Sequence, residues 1–220
     1  MEDKEENKKD WYKKREEHWS SLEPNLKSVL GGYEDSQLPD VKCSCELLNG
    51  LILTKQLNPI SCLDCAAGIG RVTEHVLSNF FKEIDLFEKN KLFIEKCKIK
   101  FSDNDKIKNI YNSSLENLED EDLIPFLKKC YENINDNGII IVKENLYNIN
   151  EDDPEENEDN NKKKENNYEY KYSNLDYSKQ RPDAFYINLF LECKFKIKLH
   201  FLNPNWPESL MPLCVYVLSK

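Results

Sequence analysis

The residues most able to do chemistry lie in one short stretch, Ser61-Cys62-Leu63-Asp64-Cys65-Ala66-Ala67-Gly68-Ile69-Gly70-Arg71. An apolar run ends in a carboxylate, a loop of small residues follows, and a guanidinium closes it. From Val72 to Phe81 the apolar residues Val72, Val76, Leu77, Phe80 and Phe81 then recur at helical spacing. The pattern predicts strand, tight turn and helix. In an open parallel sheet such a turn sits at the carboxyl end of its strand. Gly68 and Gly70 let the backbone approach a ligand there, and unpaired helix N–H groups point at it. A nucleotide-like cofactor suits that geometry.

Spacing separates two cofactor classes. A dinucleotide fingerprint starting at Gly68 requires Gly or Ala at position 73, where Thr73 stands. The next apolar run, Glu83 to Phe87, ends in Glu88, whose carboxylate can accept both hydroxyls of a ribose in either class. Arg71 discriminates: a guanidinium pairs bidentately with a carboxylate, which S-adenosyl-L-methionine carries and a nicotinamide dinucleotide does not. The structural alternative is a buried turn whose glycines serve close packing alone.

The elements that must position these groups are framed by composition. With 220 residues, 39% hydrophobic and 33% charged, a single domain spanning 1–220 is expected. Residues 1–58 read as an N-terminal helical extension of that domain. No apolar run approaches the roughly 20 residues of a membrane span, and the start, Met-Glu-Asp-Lys-Glu-Glu, lacks the apolar core of a signal peptide. The expectation is a soluble monomer in the cytoplasm or nucleus, with no membrane partner. A net charge of −10 argues against general nucleic-acid binding. Half of that charge lies in 151–167, with eight acids against three lysines. The low-complexity segment 151–170 has little to bury and is expected to be disordered.

Eight cysteines in such a chain read as reduced, mostly buried thiols. Cys43-x-Cys45 and Cys62-x-x-Cys65 together could supply four zinc ligands, but Cys62 and Cys65 flank the end of a strand and core packing explains them better. The histidines His18, His75 and His200 are scattered, and no metal site is expected.

In chain order, residues 2–22 predict a helix whose stripe of Trp11, Arg15, His18 and Trp19 either packs on the body or forms a lid over a substrate entrance. A glycine pair follows in Leu30-Gly31-Gly32-Tyr33, and Asp40 precedes a helix through Leu51. Taken in order, His18-Trp19, Leu30-Gly31-Gly32-Tyr33, Leu63 to Thr73, and Asn137-Gly138-Ile139-Ile140-Ile141-Val142-Lys143-Glu144-Asn145 resemble segments of the protein α-N-terminal methyltransferases, from about Trp19 to the C-terminus. That family transfers methyl groups from S-adenosyl-L-methionine to the terminal amine of proteins beginning X-Pro-Lys or similar.

The resemblance implies an α/β fold, the Rossmann-like sheet of class I methyltransferases. It implies cofactor contacts at Gly68, Gly70, Arg71, Glu88, Leu115 and Glu116. Substrate contacts fall at Trp19, Leu30, Asn145, Ser178 and Leu210. Asp176, in Asn174 to Arg181, falls where the family binds or deprotonates the amine. The partners implied are the N-termini of protein substrates.

One departure stands out. Between Leu118-Glu119 and the helix beginning near Asp120, a central strand of the family with its loop, roughly fifteen to twenty residues, has no counterpart. In the family that strand brings a Gln to the cofactor and a Trp and a His to the substrate. Its loss must either expose two strand edges or bring the strands at Asp64 and Ile139–Val142 together, and direct pairing is expected. The expected consequence is little or no methyl transfer. Two rival readings are a catalytically silent methyltransferase-like binding module, favoured by that gap, and a nicotinamide-dependent oxidoreductase, disfavoured by Thr73 and Arg71.

Overall fold

A computed structural model describes residues 2–112, 120–147, 162–165, 168–173 and 178–220. Its contacts divide the chain into two compact units, one of Met1–His18 with Asp120–Lys220 and one of Trp19–Glu119. The chain opens with helix α1 (Glu2–Ser21), which spans the boundary between them.

The unit of Trp19–Glu119 continues with α2 (Leu26–Val29) and α3 (Gln37–Leu53), then strand β1 (Ser61–Cys65). A π-helical turn at Thr73–Leu77 runs into the short helix α4 (Ser78–Phe80), followed by β2 (Glu83–Glu88), α5 (Lys91–Lys100) and β3 (Ile107–Asn112). The three strands form a parallel sheet in the order β1-β2-β3, with Cys65 opposite Phe87. Strand β2 is central because its apolar side chains need cover. Ile84 and Leu86 are fully buried, and in the same unit Phe93, Ile94 and Cys97 of α5 and Val76 are buried too. Helix α5 starts where it does because the Asn90 side chain caps the free N–H groups of Leu92 and Phe93.

The other unit adds α6 (Asp120–Asn133), β4 (Ile140–Asn145), β5 (Lys162–Glu165), β6 (Tyr168–Tyr172), β7 (Lys179–Gln180), α7 (Asp183–Glu192), β8 (Lys196–Leu202) and β9 (Leu213–Ser219). One antiparallel sheet has the order β4-β9-β8, a second β5-β6-β7. Every residue of β9 is buried, as befits a central strand. Phe185, Tyr186, Leu189 and Phe190 of α7 join Tyr216 and Leu218 of β9 in the core. Each such aromatic or aliphatic side chain contributes about 1.5–3 kcal/mol by leaving water.

The α/β class and its parallel strands agree with the sequence. Two local expectations do not. Helix α3 starts at Gln37, so Asp40 lies inside its first turn instead of ahead of it. Part of the segment expected to be disordered is a hairpin: β5 pairs with β6, Tyr170 is buried, and the Tyr168 ring meets Phe185 edge-on at 5.8 Å. Alternating tyrosines give this strand an apolar face that the acidic composition conceals. Residues 151–161 and 166–167 lie outside the described residues.

The strands on either side of the missing segment belong to different units, β1 to one and β4 to the other. Strand β1 is the edge of its three-stranded sheet, and β4 is an edge of its own. Leu63 of β1 is 53% exposed and β4 is half-buried along most of its length, not the buried strand its apolar sequence suggests. Among the described residues, no helix is long and apolar enough to cross a membrane.

Candidate functional site

The loop after β1 begins in a backbone conformation that side chains disfavour. Ala66 has φ +56°, Gly68 +58° and Gly70 +74°. At Gly70 the need for glycine is steric as well, since a Cβ there would stand 2.4 Å from Cε2 of Phe101. The turn is closed by the bond from Gly70 N–H to Ala67 O at 2.9 Å, while Ala67 N–H extends the sheet to Phe87 O at 3.1 Å.

Glu88, the last residue of β2, organises the loop. Its Oε2 accepts the Gly68 N–H at 2.9 Å and its Oε1 the Asn90 N–H at 2.7 Å. Asn90 in turn donates through Nδ2 to the backbone oxygen of Trp19 at 2.7 Å. Four residues are thereby joined in one chain of bonds, three of them expected from sequence. Asn90 was missed; its signal is an Asn immediately ahead of a helix. Cys97 donates to Gly68 O at 3.3 Å from behind the loop.

Thr73, whose presence defeats the dinucleotide fingerprint, is fully buried and donates from Oγ1 to Oδ2 of Asp64 at 2.6 Å. Burial pushes the Asp64 carboxyl up to about 6, against the pull of that hydrogen bond and of the Arg71 charge. The thiols of Cys62 and Cys97 are pushed up to about 12, chiefly by burial, so neither is a nucleophile near neutral pH. Arg71 is held from α3: Nη2 to Oδ2 of Asp40 at 2.6 Å and Nη1 to Oε1 of Gln37 at 3.2 Å. Asp40 is buried, and neither it nor Gln37 could be linked to Arg71 from sequence. Leu30 caps α2 ahead of Gly31 and Gly32, both at positive φ, and is half-buried.

The donor set fits a nucleoside cofactor. Each oxygen of Glu88 accepts one N–H and keeps a lone pair, which is what ribose hydroxyls require. Arg71 has five N–H groups and gives two to Asp40 and Gln37.

In the other unit, Asn145 ends β4 and is exposed, opposite Leu213. Ser178 is half-buried, and its backbone oxygen accepts the Ser173 N–H at 3.0 Å. Leu210 is half-buried in a turn closed to Pro207 O at 3.0 Å. Beside Asn145, Glu144 has its carboxyl raised by burial, opposed by Arg181, by a hydrogen bond from Tyr186 and by Arg15. Arg181 is buried, lies over the Phe185 ring and bridges to Leu146. This carboxylate and its arginine were not singled out from sequence; an acid one position before a strand end was the available sign. Leu115, Glu116 and Asp176 lie outside the described residues. The four thiols weighed as zinc ligands form no metal-binding group among the described residues.

The sequence pattern of the AdoMet dependent proline di-methyltransferase family matches residues 7–119 and 114–219. The two pieces overlap at residues 114–119, the stretch at which the sequence places the missing family strand. The chain is 31% identical to alpha N-terminal protein methyltransferase 1 of Dictyostelium discoideum, covering all of this chain and 81% of that one. It is 26% identical to the Caenorhabditis elegans protein of the same name, over 97% and 92% of the two chains. Among solved structures, a SAM-dependent methyltransferase of Leishmania major superposes with a TM-score of 0.80 at 25% identity, over 95% of this chain and 83% of that one. One from Clostridium acetobutylicum, at TM-score 0.60 and 14% identity over 89% and 99%, shares the fold.

Proposed function

The chain belongs to the AdoMet dependent proline di-methyltransferase family, and from that we propose that it binds S-adenosylmethionine at the Ala66–Arg71 loop and methylates protein N-terminal amines. A human relative named N-terminal Xaa-Pro-Lys N-methyltransferase 1, 28% identical over 64% of this chain, supports an X-Pro-Lys-like substrate. The observation that carries the reading is Glu88: a carboxylate at the end of β2, bonded to the N–H of a positive-φ glycine in the loop after β1.

When bound, the cofactor supplies an electrophilic methyl on a sulfonium. The chain's residues have three tasks. Glu88 accepts ribose hydroxyls, the remaining Arg71 N–H groups face the cofactor carboxylate, and the backbone of Gly68 and Gly70 allows close approach. Leu115 and Glu116 are assigned to the adenine side by resemblance. For the substrate, Trp19, Leu30 and Leu210 offer apolar contact, Asn145 and Ser178 hydrogen bonds, and Asp176 draws the proton from the attacking amine. An α-amine with a pKa of about 8 is neutral in a modest fraction at pH 7, so a carboxylate suffices to handle that proton.

Turnover is slow in this proposal. The family's Gln, Trp and His have no counterpart in the sequence, and alignment of amine and methyl is where most of the rate arises; a misplacement of 1 Å costs about 100-fold. The protein acts as a monomer in the cytoplasm or nucleus.

Calorimetric titration of the full chain tests the cofactor site. S-adenosylmethionine binds and NAD does not; Glu88→Ala and Arg71→Ala each weaken binding about 10-fold or more. Unchanged affinity in both variants places the site elsewhere, and NAD binding alone overturns the assignment.

A further inference from the structure

Apart from the loop and strand ends above, side chains from three elements converge on one face of the β4-β9-β8 sheet. His200 of β8 is the register partner of Tyr216 of β9, and their rings stack with centroids 5.0 Å apart at 11°. Cys214 lies two residues before Tyr216 and so shares its face. Asp183, the first residue of α7, meets both rings: its Oδ1 accepts the Tyr216 hydroxyl at 2.6 Å and lies 2.9 Å from Nε2 of His200. One imidazole nitrogen, one carboxylate oxygen and one sulfur lie within 4.8 Å of one another.

A simple tether from α7 to the sheet needs only Asp183, His200 and Tyr216. Cys214 is hydrogen-bonded to Tyr216 and to Phe201 O, and its sulfur also stands within reach of the other two ligand atoms. We propose that Asp183, His200 and Cys214 form a zinc site that pins the start of α7 to β8 and β9, with the fourth position open to water.

Nitrogen, oxygen and sulfur donors from three different elements are what a borderline cation of zinc's kind takes. Around a tetrahedral zinc such donors stand roughly 3.3–3.8 Å apart, given metal–ligand bonds of about 2.0–2.3 Å. The cluster therefore needs to move by about 1 Å, with the cation entering between Asp183 and His200. Those two side chains are 37% and 36% exposed, so they can turn and they leave a path from solvent. Support behind the ligands is present. The Tyr216 hydroxyl holds the Asp183 carboxylate through Oδ1, leaving Oδ2 for the metal, and loading gives up the bond that the Cys214 thiol donates to Phe201 O at 3.5 Å. Loading forms the zinc–sulfur bond and releases the thiol proton to the buffer.

The probe is cobalt(II), added to the full chain after chelator treatment and under a phosphine reductant that keeps all eight thiols reduced. One equivalent produces a near-ultraviolet thiolate-to-cobalt band, which disappears in Cys214→Ser and weakens in His200→Ala, each variant first shown to be folded by circular dichroism. Zinc displaces the band and raises the melting temperature of the parent chain but not of His200→Ala. No band in the parent overturns the site. A band retained in Cys214→Ser overturns it equally, by assigning the cobalt to other cysteines. Neither readout depends on methyl transfer, so this result and the fate of the proposed activity are separable.

Discussion

Two substitutions in one loop should change stability in opposite directions. Ala66 sits at φ +56° and is exposed. An L-residue in that left-handed region carries about 1–2 kcal/mol of strain, which glycine lacks. Glycine's extra freedom in the unfolded chain returns about 0.4–1 kcal/mol, so Ala66→Gly stabilises by about 0.5–1 kcal/mol. Gly70 is the reverse case. At φ +74° a new Cβ stands 2.4 Å and 2.8 Å from Cε2 and Cζ of Phe101 and 3.3 Å from Sγ of Cys97. Phe101 is buried and cannot swing away. Backbone strain plus about 1–3 kcal/mol of overpacking makes Gly70→Ala destabilising by about 2–3 kcal/mol. Urea unfolding followed by circular dichroism reads the difference. With m of ~1–3 kcal/mol/M, the two midpoints separate by about 1–2 M on opposite sides of the parent. Ala66→Gly should also tighten S-adenosylmethionine binding by removing a methyl from the loop. Midpoints that move in the same direction would falsify the loop conformation on which the cofactor site rests.

Asp64 gives a pH signature. Its carboxyl is raised from 3.8 to about 6, so the folded state holds the proton more tightly than the unfolded chain. The associated destabilisation is absent below pH 4 and complete above pH 6, reaching about 3 kcal/mol. Asp64→Asn should therefore gain stability relative to the parent as pH rises from 4 to 7; a pH-independent difference in unfolding free energy rules this out. Breaking the Arg71–Asp40 pair, whose side chains are only 16% and 9% exposed, with Asp40→Ala should cost about 3–5 kcal/mol, and thermal unfolding that barely moves shows the pair to be dispensable. Glu88→Gln keeps one acceptor oxygen and should lower the melting temperature by less than Glu88→Ala; equal losses mean that the bonds to Gly68 and Asn90 are not what holds the loop. Tyr168→Ala should cost about 1 kcal/mol through its edge-on contact with Phe185, and no change in urea midpoint shows that the hairpin contributes nothing to the core.

The loop was legible because its signals are local. An apolar run, small residues, glycines and a terminal acid follow one another within a few positions, and the structure joins Gly68 to Glu88 across only 20 positions, at the adjoining ends of paired strands. Arg71 shows the limit. Its type was readable, but its partners Asp40 and Gln37 lie over thirty positions away on another helix, and nothing in local pattern couples them. Thr73 illustrates a second kind of loss: read as a defect in one fingerprint, it is a buried donor to Asp64. The π-helical turn at Thr73–Leu77 leaves the apolar spacing of an ordinary helix and gives no sign of itself. In the 151–170 segment, charge outweighed the alternation of Tyr168 and Tyr170, so a strand was read as disorder. Half-burial of β4 was hidden for a different reason, since Ile139 to Val142 carries the composition of a core strand whether or not a neighbour covers it.

The most direct measurement is methyl incorporation into a peptide beginning Ser-Pro-Lys, followed by mass spectrometry with fragmentation that distinguishes the α-amine from the lysine side chain. The 220-residue chain and its Dictyostelium discoideum relative are incubated side by side with S-adenosylmethionine at equal concentration. The account predicts methyl groups on the α-amine alone, added by this chain at least about 100-fold more slowly than by the relative. No α-amine methylation after prolonged incubation, methylation at lysine, or turnover matching the relative would each contradict it.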